Sequence, residues 1–322
     1  MNKHERPIGI FYEHPNWFKP LFHELELRGI PFIRIQAQHH QYNPSELRPP
    51  FGLLVNRMSP SAFLRGNGQG ILHTINYLEH LERLYIPVIN GSAAQRVETS
   101  KAKQLSLLAS LQLRFPKTRI VNHINQVLPA AFSLRFPILI KANVGGSGAG
   151  IVRFNKIPEL QKAVELHQIP MGIDNVALVQ EYIKPKDNFI VRVEVLNGRF
   201  LYAIKVHTTG DTFNLCPADL CHSPAECGER ASSAPAVESY LPNSAIIKEA
   251  ERIAKLAGLD VGGVEYLTGN DDNQVYFYDI NALSNFVANP EEVIGFNPYK
   301  NFVEYIEHRN EEAYQNRKEY AL

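Results

Sequence analysis

Residues 259 to 281 read LDVGGVEYLTGNDDNQVYFYDIN, and the fold turns on how they pair. Val261, Val264, Tyr266 and Leu267 form a first β-run; Val275, Tyr276, Phe277 and Tyr278 form a second. Gly-Asn-Asp-Asp-Asn between them is turn chemistry. Folding the hairpin about Asp272 sets Glu265 opposite Asp279, and period-two alternation adds Asn281 to the same face. Directly opposed Cβ atoms lie about 5 Å apart, a spacing at which like charges repel. Two carboxylates and an amide so placed suit a hard cation, since Mg2+ takes oxygen ligands from carboxylates and substrate phosphates. The same residues on an open surface would be a solvated hairpin face.

Working upstream, Asn197-Gly198 separates FIVRVEVL from RFLYAIKVH and is a strong short hairpin signal. A two-residue loop pairs Leu196 with Arg199, Arg192 with Ala203 and Ile190 with Lys205. Arg192 and Lys205 then become diagonal neighbours on one face, a pair of cations suited to an anion between them. Glu194 could instead balance a basic exposed face. Further upstream, FPILIKANVGGSGAGIVRF (136 to 154) is a strand ending in Lys141, then a glycine cluster, then an extended run. Gly145, Gly146, Gly148 and Gly150 let backbone amides approach an anion closely, and Lys141 supplies a point charge at the root of the loop. No Gly-Lys-Ser/Thr follows, so this is not a Walker A loop. A strand rather than a helix follows, so it is not a dinucleotide fingerprint. A strand–loop–strand lid over phosphates fits the pattern, as does a plain glycine-rich turn.

The first 95 residues alternate strand and helix. IGIFY (8 to 12), PFIRIQ (31 to 36), GLLVNRM (52 to 58) and IPVINGS (86 to 92) read as strands. Helices are expected at 17 to 29 and 70 to 85, so a small layer with a parallel sheet follows. Arg57 falls at a strand end, where such sheets bind ligands; a structural role fits equally. A helix is expected over 98 to 113, capped by Thr99 or Ser100, with Lys101 and Lys103 in its first turn. ALVQEYIKPKD (177 to 187) is a strand running into a turn. SAIIKEAERIAKLAG (244 to 258) is a helix stopped by Gly258, and NPYKNFVEYIEHRNEEAY (297 to 314) is a last helix. Residues 208 to 242 are the least regular; Cys216, Cys221, Cys227 and His222 lie there, with spacing unlike a zinc site.

Composition narrows the function. With 33 basic and 33 acidic residues, the chain lacks the basic excess of a nucleic-acid or membrane-surface protein. No apolar run approaches the roughly 20 residues of a membrane span. No signal-peptide core is evident and three cysteines cannot all pair, so a cytoplasmic location is expected.

These segments, in this order, resemble the ATP-grasp ligases over nearly the whole chain. Within them the sequence is most similar to RimK-type and LysX-type carboxylate–amine ligases. The resemblance implies a mixed α/β and α+β chain with the ATP-grasp fold. A small N-terminal α/β (pre-ATP-grasp) domain (1–97) precedes a central subdomain with the glycine lid (98–183). A C-terminal subdomain with the metal site (184–322) would complete the clamp on ATP. Lys101 and Lys141 would hold the α/β phosphates, under a lid that includes Gly145, Gly146, Ser147 and Gly148. Gln180, Glu181, Tyr182 and Ile183 would form the adenine hinge, largely through backbone groups, and Asp187 would take the ribose hydroxyls. Asn214 would lie near the phosphates. Arg192 and Lys205 would face the γ-phosphate and the reacting carboxylate, and Glu265, Asp279 and Asn281 would bind two Mg2+, with Mn2+ as an alternative.

The implied reaction joins a carboxylate to an amine through an acyl phosphate, releasing ADP and phosphate. The carboxylate would come from a small molecule or peptide, and the acceptor could be a free amine or a carrier protein. Homo-oligomerisation is open. Two rivals are a small-molecule kinase on the same fold and a non-catalytic ATP-binding regulatory module. The chain departs from the family pattern at Asp279, where glutamate is usual, and at Ala282 to Phe286, which lack the Ser-Pro-Gly of RimK-type enzymes and carry Asn285 in place of the LysX-type glutamate. These departures bear on the acceptor more than on ATP.

Overall fold

The computed structural model describes residues 6–146, 148, 150–208 and 236–320, with side chains to residue 315. Ser147, Asn214 and the three cysteines with His222 lie outside the described residues.

The N-terminal layer is a parallel sheet of β1 (Ile8–Tyr12), β2 (Phe32–Gln36), β3 (Leu53–Arg57) and β4 (Val88–Ile89), in the order β2-β1-β3-β4. Helices α1 (Lys19–Leu27) and α2 (Gly68–Arg83) connect these strands. Strands β1 and β3 are buried along their whole lengths, as their near-continuous apolar sequence requires of a sheet covered on both faces.

The helix expected over 98 to 113 is α4 (Lys101–Ser110), and a short helix that was not anticipated, α3 (Ser92–Glu98), precedes it. Ser100 has extended backbone and its hydroxyl accepts from the Lys103 amide, so of the two candidate caps it is Ser100 that caps α4. A second sheet follows, antiparallel in the order β5-β8-β6-β7. Its strands are β5 (Thr118–Val121), β6 (Ile138–Ala142), β7 (Ile151–Phe154) and β8 (Ala177–Glu181); α5 (Val127–Ala131) and α6 (Ile157–Glu165) accompany it. The glycine segment joins β6 to β7, the strand–loop–strand arrangement expected.

The third sheet is antiparallel, in the order β11-β10-β9-β12-β13. It comprises β9 (Phe189–Leu196), β10 (Arg199–His207), β11 (Val237–Ser239), β12 (Val261–Thr268) and β13 (Val275–Asn281). Helix α7 (Ser244–Ala257) ends on Gly258 at φ +71, a left-handed stop that favours glycine. One face of this sheet (Val191, Val193, Val264, Phe277, Ile280) packs under α3, α4 and α7. The other carries Ile190, Tyr202, Ile204 and Val206 and joins the core of the N-terminal layer, together with Phe302 and Val303 of the last helix, α9 (Pro298–Tyr320), which follows the short α8 (Pro290–Val293). No helix among the described residues is long and apolar enough to cross a membrane.

Both hairpins of this sheet contain a β-bulge. In β12–β13, Glu265 pairs Asp279 and Gly263 pairs Asn281, but Tyr266 pairs Phe277, so Tyr278 is extra. In β9–β10, Leu196 pairs Arg199 as expected, but Leu201 is extra, and thereafter Arg192 pairs Ile204 and Lys205 pairs Val191. One inserted residue moves every later side chain to the other face. Lys205 therefore lies on the face opposite Arg192, and the expected pairing of the two around one anion is corrected.

Candidate functional site

Helix α4, the end of β6 and the β12–β13 hairpin meet at a cluster of opposite charges. The bulge at Tyr278 lets Phe277 and Ile280 point into the core under α4, although they are three residues apart. That leaves Tyr278 and Asp279 together on the opposite face, beside Glu265. The Asp279 carboxylate accepts from Lys101 Nζ at 2.6 Å. Lys141 Nζ lies 5.6 Å from the Tyr278 ring centroid. Arg192 donates Nη1 to Glu265 at 3.1 Å, Nε to Glu194 at 2.6 Å and Nη2 to the Ser284 hydroxyl at 3.1 Å. The Asn281 amide donates to Glu265 at 3.3 Å.

Burial makes these charges act on one another strongly. For Glu265, burial first and the Asp279 charge second push the carboxyl up, with Arg192 opposing. For Asp279, burial pushes up as well, but Lys101, with Lys141 and Arg192, holds the group below its ordinary value. Lys101 is raised in turn, burial being more than offset by Asp279. Lys141 behaves differently: burial, then Lys101, pull its ammonium down to about 8. It is 9% exposed and forms no ion pair among the described residues, so it is a buried cation without a matching anion.

Several side chains that the sequence did not single out hold this geometry. Strand β13 is the edge of its sheet. Gln104 of α4 covers it, donating to the Ile280 carbonyl at 2.9 Å and accepting from the Ile280 amide at 3.2 Å. Buried Glu98 accepts from the Ala282 and Leu283 amides. Asn143, two residues beyond Lys141, accepts from the Ala102 amide at 2.9 Å, and its carbonyl accepts from the Lys101 amide at 3.1 Å. These bonds fix Lys101 relative to Lys141 and to Asp279. For Glu98 and Gln104, a polar residue on a buried helix face is the signal in the sequence. Gly263 is also required: a Cβ there would lie 2.7 Å from Arg192 Nε and 3.0 Å from Glu194 Oε1, so the buried ion pair lies flat on its backbone.

The glycine segment lies against the N-terminal layer. Gly145 is buried, and a Cβ on Gly146 would lie 3.0 Å from Ser61 Cβ. Gly148 and Gly150 have φ of +70 and +71, a region open to glycine. In the expected hinge, the Gln180 side chain is spent on the Thr118 hydroxyl at 2.9 Å, and Glu181 accepts from the Arg135 amide. The Glu181 and Tyr182 amides donate to the Lys117 and Pro137 carbonyls. Arg153 lies over the Tyr182 ring at 4.5 Å, Ile183 is half-buried, and Asp187 is exposed on the turn Lys186–Asn188. Lys205 is apart from all of these: it pairs Glu238 at 3.1 Å and sits between the Phe189 and Tyr240 rings.

Glu265, Asp279 and Asn281 form an oxygen-only donor set on one face of two neighbouring strands. Among the described residues no group of three or more His, Cys, Asp or Glu side chains is arranged to hold a metal ion. An oxygen-only set fits a hard cation such as Mg2+ and does not fit zinc.

Residues 98–216 match the family model of the RimK-like ATP-grasp domain. The chain is 25% identical over 199 residues to a probable alpha-L-glutamate ligase of Rhodopirellula baltica, covering 62% of this chain and 45% of that relative. It therefore spans less than half of that relative's length. Among solved structures, D-alanyl-alanine synthetase A from Vibrio cholerae aligns at TM-score 0.69 and 15% identity, covering 95% of this chain and 98% of that one. The ATP-grasp ligase PsnB complexed with a minimal precursor aligns at TM-score 0.66 and 16% identity, covering 93% and 98%. The architecture is the ATP-grasp fold.

Proposed function

We propose that this chain, which carries a RimK-like ATP-grasp domain, is an ATP-dependent carboxylate–amine ligase. The observation that carries the reading is the meeting of Lys101 and Lys141 with Glu265 and Asp279, which are far apart in sequence and largely shielded from solvent. Such a cluster suits a substrate that brings both phosphate anions and their metal. The names of its relatives support the same reaction class.

In this reading, residues 1–97, 98–183 and 184–322 act as three units around one cleft. Lys101 and Lys141 hold nucleotide phosphates, with Gly145, Gly146 and Gly148 of the lid above them. The segment from Gln180 to Ile183 receives the adenine through backbone groups, and Asp187 the ribose. Glu265, Asp279 and Asn281 hold Mg2+, two ions being the expectation. A divalent cation held there would supply neutralisation of phosphate charge. Arg192 is placed to stabilise the charge that spreads over the transferring phosphoryl group. Lys205 has no part in this step. Closing the glycine segment keeps water from the activated acid until the amine arrives.

The test is trapping. Mg-ATP, hydroxylamine and a panel of carboxylic acids should yield a hydroxamate and ADP. An acid-stable phosphoester in its place would make the protein a kinase. Nucleotide binding with no turnover across the panel would sink the catalytic reading.

A further inference from the structure

The edge strand β2, the end of α2 and the segment between β2 and β3 enclose a cavity of about 320 Å³ in the N-terminal layer. Phe51, Tyr77 and Leu81 line it as buried side chains, and Ile33, Ile35 and Leu84 as half-buried ones. None of its lining residues belongs to the charge cluster of the cleft. At about 30 Å³ per water, the space holds about ten waters, or one ring with a short chain. It lies at the lower end of the roughly 300 to 1,000 Å³ usual for small-molecule pockets. Ile33, Ile35 and Leu84 keep apolar surface in contact with water there, and a ligand with an apolar body would cover it.

Four ring side chains of the wall pack on one another: Tyr42 lies 5.0 Å from Tyr77 and from His80, and His40 lies 4.1 Å from Tyr77. Glu46 is not settled in this way. It is exposed at the edge of the cavity, and its carboxylate has neither an ion pair nor a hydrogen bond among the described residues. No lysine, arginine or aspartate lines the cavity. The Glu46 charge also reaches inward: burial first and Glu46 second push the Tyr77 phenol up. Aromatic rings attract a cation, and a carboxylate at the edge adds to the pull on an ammonium group. An anionic ligand would instead meet a like charge.

We propose that this cavity is a second small-molecule site, separate from the nucleotide cleft, and that it takes an arylalkyl amine in its ammonium form, with the ring among Phe51, Tyr77 and Leu81 and the ammonium beside Glu46. The site does not depend on what the cleft catalyses. Ligand-observed NMR titrations with phenethylamine, phenethyl alcohol and phenylpropionate test it, at about pH 8, above the ordinary histidine range. Wild type should bind phenethylamine saturably and about twofold to fivefold tighter than the alcohol, the worth of a charge pair open to solvent. Phenylpropionate should bind more weakly than either. Glu46→Gln should remove the preference for the amine and leave the affinity for the alcohol unchanged. Ile35→Phe and Leu84→Phe each place a ring in the cavity and should abolish amine binding, so the failure of one of them to fold leaves the other to decide. Saturation with Mg-AMPPNP should not displace the amine, and none of the three variants should change AMPPNP affinity. The site would be overturned by a lack of saturable amine binding in wild type, by amine binding that persists in the folded filling variants, or by displacement of the amine by Mg-AMPPNP. A preference for the amine that survives Glu46→Gln would overturn the ammonium–carboxylate contact.

Discussion

Two polar clusters of this protein handle charge in opposite ways. In the N-terminal layer, His40 and His73 share a hydrogen bond of 3.0 Å, and His40 packs on Tyr77 with ring centroids 4.1 Å apart. Tyr42 stacks on His80 at 5.0 Å. Burial, then His73, pull the His40 pKa down to about 4, so His40 is neutral at pH 7. In the cleft, Lys101 pairs with Asp279 and Arg192 with Glu265, while Lys141 forms no ion pair among the described residues. A structural cluster settles its polarity internally. A binding cluster leaves a remainder for its ligand to complete.

The comparison can be broken most directly at Arg192. Arg192→Met strands Glu194 and Glu265 in the core without their cation, and should cost about 3 to 5 kcal/mol. Denaturant unfolding would measure it, and a loss under 1 kcal/mol, about the worth of a surface pair, would mean the pair is effectively solvated. Lys141 should respond with the opposite sign. Its folded pKa is near 8, against 10.5 for the free side chain, so its charge burdens the fold most below pH 8 and the burden fades as pH rises towards 10.5. Lys141→Met should stabilise the free protein by about 1 kcal/mol at pH 7, and by less at pH 10, while weakening AMPPNP binding. Unchanged nucleotide affinity would remove Lys141 from the site. The smallest effect belongs to His40. Unfolded chain takes a proton near 6.5 and the folded protein only near 4, so stability should fall as pH drops through that window. His40→Phe should flatten that limb of the unfolding curve and leave turnover untouched; a limb as steep as wild type would assign the slope to other groups.

The two hairpins of the third sheet show how far local pattern carries. Both were legible as hairpins from alternation and turn residues, and both contain one inserted residue that counting does not reveal. The Glu265–Asp279 pairing was anticipated, but it is reached by a different path: residues nearer the turn pair one step out of the expected register, and Tyr278 restores it. At Leu201 the same device works against the count and sends Lys205 to the far face. A bulge is set by what each face must pack against, here the core under α4 and α7 on one side and the N-terminal layer on the other, and that is long-range information.

The sequence by itself determined the alternating N-terminal layer, the glycine segment after Lys141, a helix cap at Thr99 or Ser100 and the acids of the last hairpin. Each depends on neighbours within a few residues, through turn preference, capping or side-chain period. Tertiary structure alone decided which charges meet. Lys101 reaches Asp279 across 178 residues of chain, and Arg57 and Arg192 converge on Ser284 from different sheets. Those encounters follow from how three sheets stack around shared cores, which no local window of sequence contains.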